Sequence, residues 1–311
     1  MDSTVQSAVL SDTATQRSAA LKVFVLANPT ASHFRPDDIK RFVKELERND
    51  VEVEVKLTRR VGEIADTCAS SELTADVVVI AGGDGSVNEA AQALQERSLK
   101  PALAILPFGT ANVLAAEIGL PKEPEKLAEL ILKKSVRKLT HSLANGRPFY
   151  TCASAGFDAE VVHVLPYRLK RQLGKFAFFI KAIHLGLTRR SSQFRVRVNN
   201  SSHDCAMVLA IKGKYYAGKN LITPEGSVFE RGYHLVLIKK DNLGFLCSLL
   251  LRLWLRRFHS APDVEIIKAE QAYIESYRSA AVQIDGEPFG GTPLVLESTS
   301  STLPVIAPRA D

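Results

Sequence analysis

The stretch Val77-Val78-Val79-Ile80-Ala81-Gly82-Gly83-Asp84-Gly85-Ser86-Val87-Asn88-Glu89 decides the fold. Its opening residues, 77–80, are unbroken apolar and β-branched, the pattern of a strand buried on both faces. A helix is expected from Val87 onward. Between the two lie three glycines, which let the backbone turn tightly and bring bare N–H groups against an anion. The helix N-terminus behind them adds partial positive charge. Ser86 is placed to cap that helix, and Glu89, three residues on, to complete a capping box. A strand-to-helix turn without a ligand explains one glycine and the cap. It does not explain three glycines with an acidic residue among them, so the loop is expected to hold phosphate.

Outward from this loop, residues 21–120 alternate between strand and helix signals. Residues 21–27 form an apolar run ending at Asn28-Pro29. Asp37 and Asp38 then open a helix with Ile39, Phe42, Val43 and Leu46 on one face. Val51, Val53, Val55 and Leu57 alternate with charged residues, the period of a half-exposed strand. A helix over 62–68, a strand over 102–106 and a helix over 111–118 complete the series. Such alternation predicts a parallel α/β layer structure. After about residue 140 the pattern changes. Strand signals recur at 194–198, 206–211, 234–238, 264–267, 272–275, 282–284 and 294–296. Helices interrupt them only near 168–188 and 243–258. The expected organisation is a disordered tail over 1–20, an α/β nucleotide-binding domain over 21–140, a β-rich, mostly antiparallel domain over 141–300, and a C-terminal segment over 301–311. A strand-like run at 303–307 has a return to the first domain open to it.

Two further loops carry chemistry. Leu106-Pro107-Phe108-Gly109-Thr110-Ala111-Asn112 also joins a buried strand to a helix. Gly109 permits close approach, while Thr110 and Asn112 offer hydroxyl and amide groups. In a parallel sheet both loops lie at the carboxyl ends of strands, where α/β proteins bind ligands; alone, this one is equally a capped helix start. The third is Gln283-Ile284-Asp285-Gly286-Glu287-Pro288. Its Asp-Gly pair is a common hairpin turn, and its residues alone favour that plain alternative over catalysis.

The 311 residues are enough for two domains, and a hydrophobic fraction of 46% with 24% charged residues is ordinary for a globular protein. A net charge of +6 suits anionic partners such as nucleotides or an acidic membrane surface, and falls short of a dedicated nucleic-acid binder. Cys68, Cys152, Cys205 and Cys247 form no CxxC pair, so neither a zinc site nor a disulfide framework is expected. The first 20 residues lack a basic start followed by an apolar stretch, which argues against a signal peptide. A cytoplasmic protein, peripheral at the inner membrane face if it meets a membrane at all, is the expectation.

Taken together, the chain resembles the diacylglycerol kinase catalytic-domain family, which includes sphingosine and ceramide kinases and bacterial lipid kinases. The resemblance is carried, in order, by Asn28-Pro29, the 82–89 loop, residues 106–112, Ala155-Gly156-Phe157-Asp158 and residues 283–288. NAD kinases and phosphofructokinases share the 82–89 loop; Gly109-Thr110-Ala111-Asn112 and Asp285-Gly286-Glu287 discriminate better. The resemblance implies an NAD kinase/diacylglycerol kinase-like α/β domain and a β-rich domain with an ATP cleft between them. It implies that Gly82, Gly83, Asp84, Gly85, Ser86 and Asn88 cradle the ATP phosphates, and that Asn28, Thr58, Gly109 and Thr110 add nucleotide contacts. Asp84 would organise Mg²⁺ or water. Glu287 matches the family's general base, a role some members assign to the loop aspartate, so Glu287 and Asp84 are both candidates.

Several positions depart from the family pattern. Thr30-Ala31-Ser32 stands where a glycine is usual, Ser86 replaces the commoner Thr, and Val113 sits where Asp is frequent. Arg231-Gly232 replaces an Asp-Gly that supports a structural Mg²⁺ in many bacterial members. Arginine cannot ligate a cation, so that second metal site is expected to be absent.

A lipid kinase must reach a membrane-held substrate. Residues 168–190 and 243–259 both combine basic side chains with apolar or aromatic ones, the composition of interfacial helices. For the second, packing on the β-rich domain is the favoured expectation, because its apolar surface is broad. The implied function is transfer of the ATP γ-phosphate to diacylglycerol or a related lipid alcohol. The alternatives are a kinase of a soluble substrate such as NAD, or a non-catalytic nucleotide or lipid sensor. Nothing in the sequence specifies a protein partner or points to nucleic acid.

Overall fold

Parallel strands with helices on both faces build the first half of a computed structural model that describes residues 20–164 and 192–309. The expected tail (apart from Ala20) and the basic–aromatic segment 168–190 lie outside the described residues. The elements run β1 (Lys22–Ala27), α1 (Pro36–Glu47), β2 (Glu52–Leu57), α2 (Glu63–Ala69), β3 (Val77–Gly82), α3 (Asp84–Gln95), β4 (Ala102–Pro107), α4 (Val113–Glu117) and α5 (Pro124–Leu132). The strands lie in the order β2-β1-β3-β4, all parallel. Strand side chains point alternately to opposite faces, so the run at 77–80 serves two cores. Val77 and Val79 pack with Ile39, Phe42 and Leu46 of α1 and Leu127 and Ile131 of α5. Val78 and Ile80 pack with Ile64 of α2, Val87 and Leu94 of α3 and Leu114 of α4. Each fully buried side chain of this kind contributes about 1.5–3 kcal/mol before entropy is counted.

The second half is β-rich: β5 (Val136–Ala144), β6 (Arg147–Phe149), β7 (Cys152–Ala155), α6 (Phe157–Val164), β8 (Phe194–Val198), β9 (Ser201–Cys205), β10 (Met207–Ile211), β11 (Tyr215–Tyr216), β12 (Asn220–Leu221), β13 (Tyr233–Ile238), α7 (Leu243–Trp254), β14 (Val264–Ala269), β15 (Gln271–Ser276), β16 (Ala281–Ile284), β17 (Glu287–Gly291) and β18 (Leu294–Ile306). An antiparallel sheet of order β14-β13-β10-β7-β16-β17 packs Val208, Ala210, Leu235, Val282 and Ile284 against Phe194, Val196, Ile274 and Leu296 of the other sheet. The outer face of this antiparallel sheet, with Leu209, Ile211, Val236 and Ile238, is covered by Phe157 and Val161 of α6 and Leu246 and Leu249 of α7.

β18 ties the halves together. It pairs with β5 along its length, with β15 over residues 294–297, and in parallel with β4 at Val305. The register with β5 breaks between Ser298 and Thr302, so a bulge separates the two sections of the strand. The strand-like run at 303–307 thus falls at the end of a longer strand that pairs there with β4, and β5, β6, β8, β9, β15 and β18 continue the sheet of β1–β4 to ten strands. Tyr150, between β6 and β7, is fully buried in the same core as Val87 and Leu94. Glu117, at the end of α4, accepts the Tyr215 N–H at 2.5 Å and also faces the Lys214 amide. Burial pushes its carboxyl above the ordinary range, against the pull of those amides.

Arg231 stands at the surface, with a guanidinium nitrogen 2.8 Å from Glu270 and its Nε donating to Ser298 Oγ at 3.2 Å. A different cation supports its loop. The fully buried Lys212 donates from Nζ to Thr140 Oγ1 (2.9 Å), Glu230 O (2.9 Å) and Gly232 O (2.8 Å). Burial lowers its pKa to about 8.

Candidate active site

The loops singled out in the sequence converge at the carboxyl ends of the parallel strands. Thr58, Asn28 and Phe108 follow β2, β1 and β4, Gly82 ends β3, and their backbones extend the ladder. Asn28 N–H donates to Ala81 O, Thr58 N–H to Ala27 O and Phe108 N–H to Gly82 O, each at 2.9 Å. The glycine loop and the second loop touch back to back. A Cβ on Gly109 would stand 2.5 Å from Gly83 Cα, and one on Gly83 would stand 3.1 Å from Gly109 Cα. Both positions therefore need glycine for close approach of two backbones. Asn112, at φ +47°, accepts Gly109 N–H at 2.8 Å and donates to Gly109 O at 2.7 Å, which fixes the second loop from within.

The expected capping box is not what forms. Helix α3 starts at Asp84, with Gly83 as an extended N-cap and no side-chain cap. Extended Gly83 brings the helix start forward, which puts Ser86 in the first turn. Ser86 Oγ accepts from Asn28 Nδ2 at 3.1 Å, while Glu89 Oε1 accepts the Ala65 N–H of α2 at 3.0 Å. Asn28 Oδ1 in turn accepts from Thr30 N–H at 2.9 Å and Thr30 Oγ1 at 2.8 Å. The residues standing in place of the usual glycine thus close a local turn. Thr110 Oγ1 donates to Ser32 Oγ at 3.2 Å, so this turn also leans on the second loop. Asn88 is buried in α3, and the Thr58 side chain is buried at the end of β2, two strands from the glycine loop.

Asp84 joins the two loops. Its Oδ1 accepts the Val113 N–H at 2.7 Å, and the Asn112 and Leu114 amides also face the carboxylate. Burial raises its pKa; those amides oppose the rise, and the Asp285 carboxylate adds to it. A Mg²⁺ held chiefly by nucleotide phosphates and water needs only one or two protein carboxylates, and this geometry fits Asp84 to that part. Among the described residues, no cluster of three His, Cys, Asp or Glu side chains forms a ligand cage of its own.

The third motif is a hairpin turn and something more. Asp285 and Gly286 link β16 to β17 with φ +48° and +84°, as a two-residue turn with positive φ at both positions requires. Asp285 is also an anchor. It accepts the N–H groups of Tyr150 (2.9 Å), Thr151 (2.8 Å) and Cys152 (2.9 Å), and the Thr151 hydroxyl at 2.6 Å. Burial raises its pKa, and these four donors resist the rise. Gln283 Oε1 accepts Gly286 N–H at 2.8 Å. Its Nε2 donates to Ser154 Oγ at 2.9 Å and Asp158 Oδ2 at 3.1 Å. Asp158 also accepts from Ser154 and from the Tyr216 hydroxyl. The turn so fixed projects Glu287 across the cleft, where Oε1 lies 3.3 Å from the position a Gly85 Cβ would take. Arg147, on β6, approaches Glu287 Oε2 at 3.9 Å.

Asn28, Gly82, Gly83, Asp84, Gly85, Ser86, Gly109, Thr110, Asp285 and Glu287 therefore share one cleft, while Thr58 flanks it and Asn88 lies within α3. Arg147, Tyr150, Ser154 and Glu117 gained no role from the sequence, because each acts through partners distant along the chain. Asp158 and Gln283 were visible only as parts of matched motifs.

Residues 22–143 match the family model described as Diacylglycerol kinase catalytic domain, and residues 151–307 match that described as YegS C-terminal NAD kinase beta sandwich-like domain. A diacylglycerol kinase of Staphylococcus saprophyticus is 26% identical over 249 residues, covering 79% of this chain and 81% of that protein. One from Staphylococcus aureus strain MRSA252 is 24% identical over 290 residues, covering 92% of each. The crystal structure of a diacylglycerol kinase from Bacillus anthracis str. Sterne superposes with a TM-score of 0.75 at 21% identity, covering 94% of this chain and 99% of that one, and so shares the fold. An α/β kinase domain closed by a β-rich antiparallel partner defines the class of protein. The chain belongs to the diacylglycerol kinase catalytic-domain family, and it is a kinase.

Proposed function

We propose that the protein transfers the γ-phosphate of Mg-ATP to the hydroxyl of diacylglycerol or a related lipid alcohol. The observation that carries this is Glu287 held across the cleft against Gly85 of the glycine loop. A carboxylate there is placed to accept the proton as the lipid hydroxyl oxygen attacks the γ-phosphorus. The bond to the β–γ bridging oxygen breaks, and ADP leaves. The backbone N–H groups around Gly82, Gly83 and Gly85 and the N-terminus of α3 are disposed to hold the phosphates, with Asn28, Ser86, Gly109 and Thr110 around them. Mg²⁺ bound with the nucleotide supplies charge neutralisation, with Asp84 as its protein carboxylate. Asp84 has a second duty, because its contacts with residues 112–114 hold the two loops in register. That engagement favours Glu287 over Asp84 as the base. Arg147 offers positive charge beside Glu287. The setting we propose is the cytoplasm, with peripheral contact at the inner membrane face; no helix among the described residues is long and apolar enough to cross a membrane.

The test is transfer of labelled γ-phosphate from Mg-ATP to micellar diacylglycerol, monoacylglycerol, ceramide and a sphingoid base, with NAD as the soluble comparator. Glu287→Gln is expected to lower kcat by about 10²–10⁴-fold, the usual worth of a general base, with ATP binding retained. Label on NAD alone would move the chain to a soluble acceptor. A folded, ATP-binding protein that labels nothing would favour a sensor.

A further inference from the structure

Helix α7 is apolar on two sides, and only one is used. Asn242 caps it by accepting the Phe245 N–H at 3.0 Å. Leu246 and Leu249 are buried against the outer face of the antiparallel sheet, with Phe245 and Leu253 partly covered beside them. The expectation that this segment would bury its broad apolar surface therefore holds for one face only. On the opposite side Leu250, Leu251, Trp254 and Leu255 are 42%, 57%, 78% and 49% exposed. They stand at the i, i+1, i+4 and i+5 positions that share a helix face, and together they form one apolar patch at the end of α7.

The charge around the patch is of one sign. Arg252, Arg256 and Arg257 adjoin it, and residues 243–260 contain no Asp or Glu. None of the three arginines makes an ion pair among the described residues, whereas neighbouring Lys239 and Lys240 are paired with Glu265 and Asp263. Twelve residues of helix span about 18 Å at 1.5 Å per residue, too short to cross a bilayer. An apolar strip with a tryptophan, bordered by unpaired arginines, is complementary to the headgroup region of an anionic bilayer. A second copy of the chain fits less well, because a two-fold contact through this patch would set its arginines against their own equivalents. The outer sheet face that seats α7 also carries α6, which packs on β16 and β17, the hairpin of Glu287. Docking through α7 thus presents to the lipid surface the side of the molecule that includes this hairpin.

We infer that the exposed face of α7, with Leu250, Leu251, Trp254 and Leu255 and the adjoining Arg252, Arg256 and Arg257, is the surface by which the protein docks on anionic lipid bilayers. The inference rests on the lipid-acceptor assignment above, and it is tested apart from it. Trp254 is the single tryptophan of the chain, so its emission reports the contact directly. Full-length protein is titrated with phosphatidylcholine vesicles with and without phosphatidylglycerol, while emission and co-sedimentation are followed. The expected result is a blue shift and co-sedimentation that strengthen with the anionic lipid and weaken with salt. A basic residue near such a surface strengthens partitioning by about fivefold, so R252Q/R256Q/R257Q should lose about 100-fold on anionic vesicles. Leu251→Ser with Leu255→Ser should weaken binding to both vesicle types. All variants should keep the wild-type thermal midpoint and the wild-type rate on a short-chain, water-soluble diacylglycerol. Three results would overturn the inference: absence of a Trp254 shift on anionic vesicles, wild-type binding by the substituted proteins, or a wild-type dimer that the leucine substitutions dissociate. If the short-chain substrate is not phosphorylated while vesicle binding behaves as expected, the kinase assignment fails and the docking surface stands.

Discussion

Gly109→Ala isolates the contact between the glycine loop and the second loop. No positive φ is involved at this position, so alanine meets no backbone penalty, and the whole effect comes from one added carbon. That carbon would lie 2.5 Å from Gly83 Cα and 2.6 Å from Asn112 Oδ1. Carbon–carbon contacts are comfortable near 3.5–4.0 Å, so the loops must separate by about 1 Å. Gly83 is backbone, and Asn112 already holds Gly109 through two hydrogen bonds, so neither neighbour can turn aside. Overpacking of this kind costs about 1–3 kcal/mol of stability. A displacement of about 1 Å in a positioning element costs about 10²-fold in rate. The assay is kcat/KM for Mg-ATP with saturating acceptor, alongside urea unfolding. Gly85→Ala is the internal comparison: its added carbon meets only the end of the Glu287 side chain, at 3.3 Å, and a smaller loss is expected. A Gly109→Ala enzyme that keeps kcat/KM within a small factor of wild type, while remaining folded, would refute the reasoning.

Two other predictions concern the groups that hold the cleft together. Asp285→Asn removes the charged acceptor of four donors and sets an NH₂ against a backbone amide; about 2–5 kcal/mol should be lost in urea unfolding, with activity falling as Glu287 loses its mount. Buried His141, whose Nδ1 finds no partner among the described residues, has its pKa lowered to about 4 by burial, with Lys212 and Lys100 adding to the effect. The unfolded chain then binds the extra proton between pH 6.5 and about 4, so the contribution of His141 is fully present above pH 6.5 and lost on acidification through that window. Urea midpoints measured across the window should fall less steeply for His141→Phe than for wild type.

The first half of the chain was legible because its signals are local. The apolar run at 77–80, the glycines after it and the strand at 102–106 each declare an element without help from elsewhere, and the parallel order follows. What stayed hidden depends on pairing across the chain. Helix α5 opens with Pro124 and lies between two less distinctive stretches, and it earns its place by packing on α1. Strands β5, β6 and β7 are mixed in polarity, since the fold buries Thr140, His141, Ser142 and Ser154. The capping box was misassigned because the glycine at the loop's second position can itself end the strand and start the helix. Asp285 illustrates the limit: Asp-Gly reads correctly as a turn, yet its four donors come from residues 150–152, some 130 positions away.

The course of β18 bears on how the molecule can be divided. One strand of 13 residues is hydrogen-bonded at its start to β15 and at its end to β4, so strands from both halves of the chain join in a single ten-stranded sheet. A gene cut near residue 143, where the first matched region ends, would therefore not release two self-sufficient pieces. The front fragment would present β4 with an open edge and Leu103 without its partner strand, and an open edge of this kind invites pairing with other chains. Severed halves should recover solubility only when both are produced together, with β18 as the segment that reunites them. The bulge between Ser298 and Thr302, the one interruption in that strand's pairing with β5, separates the section that pairs with β15 from the section that pairs with β4.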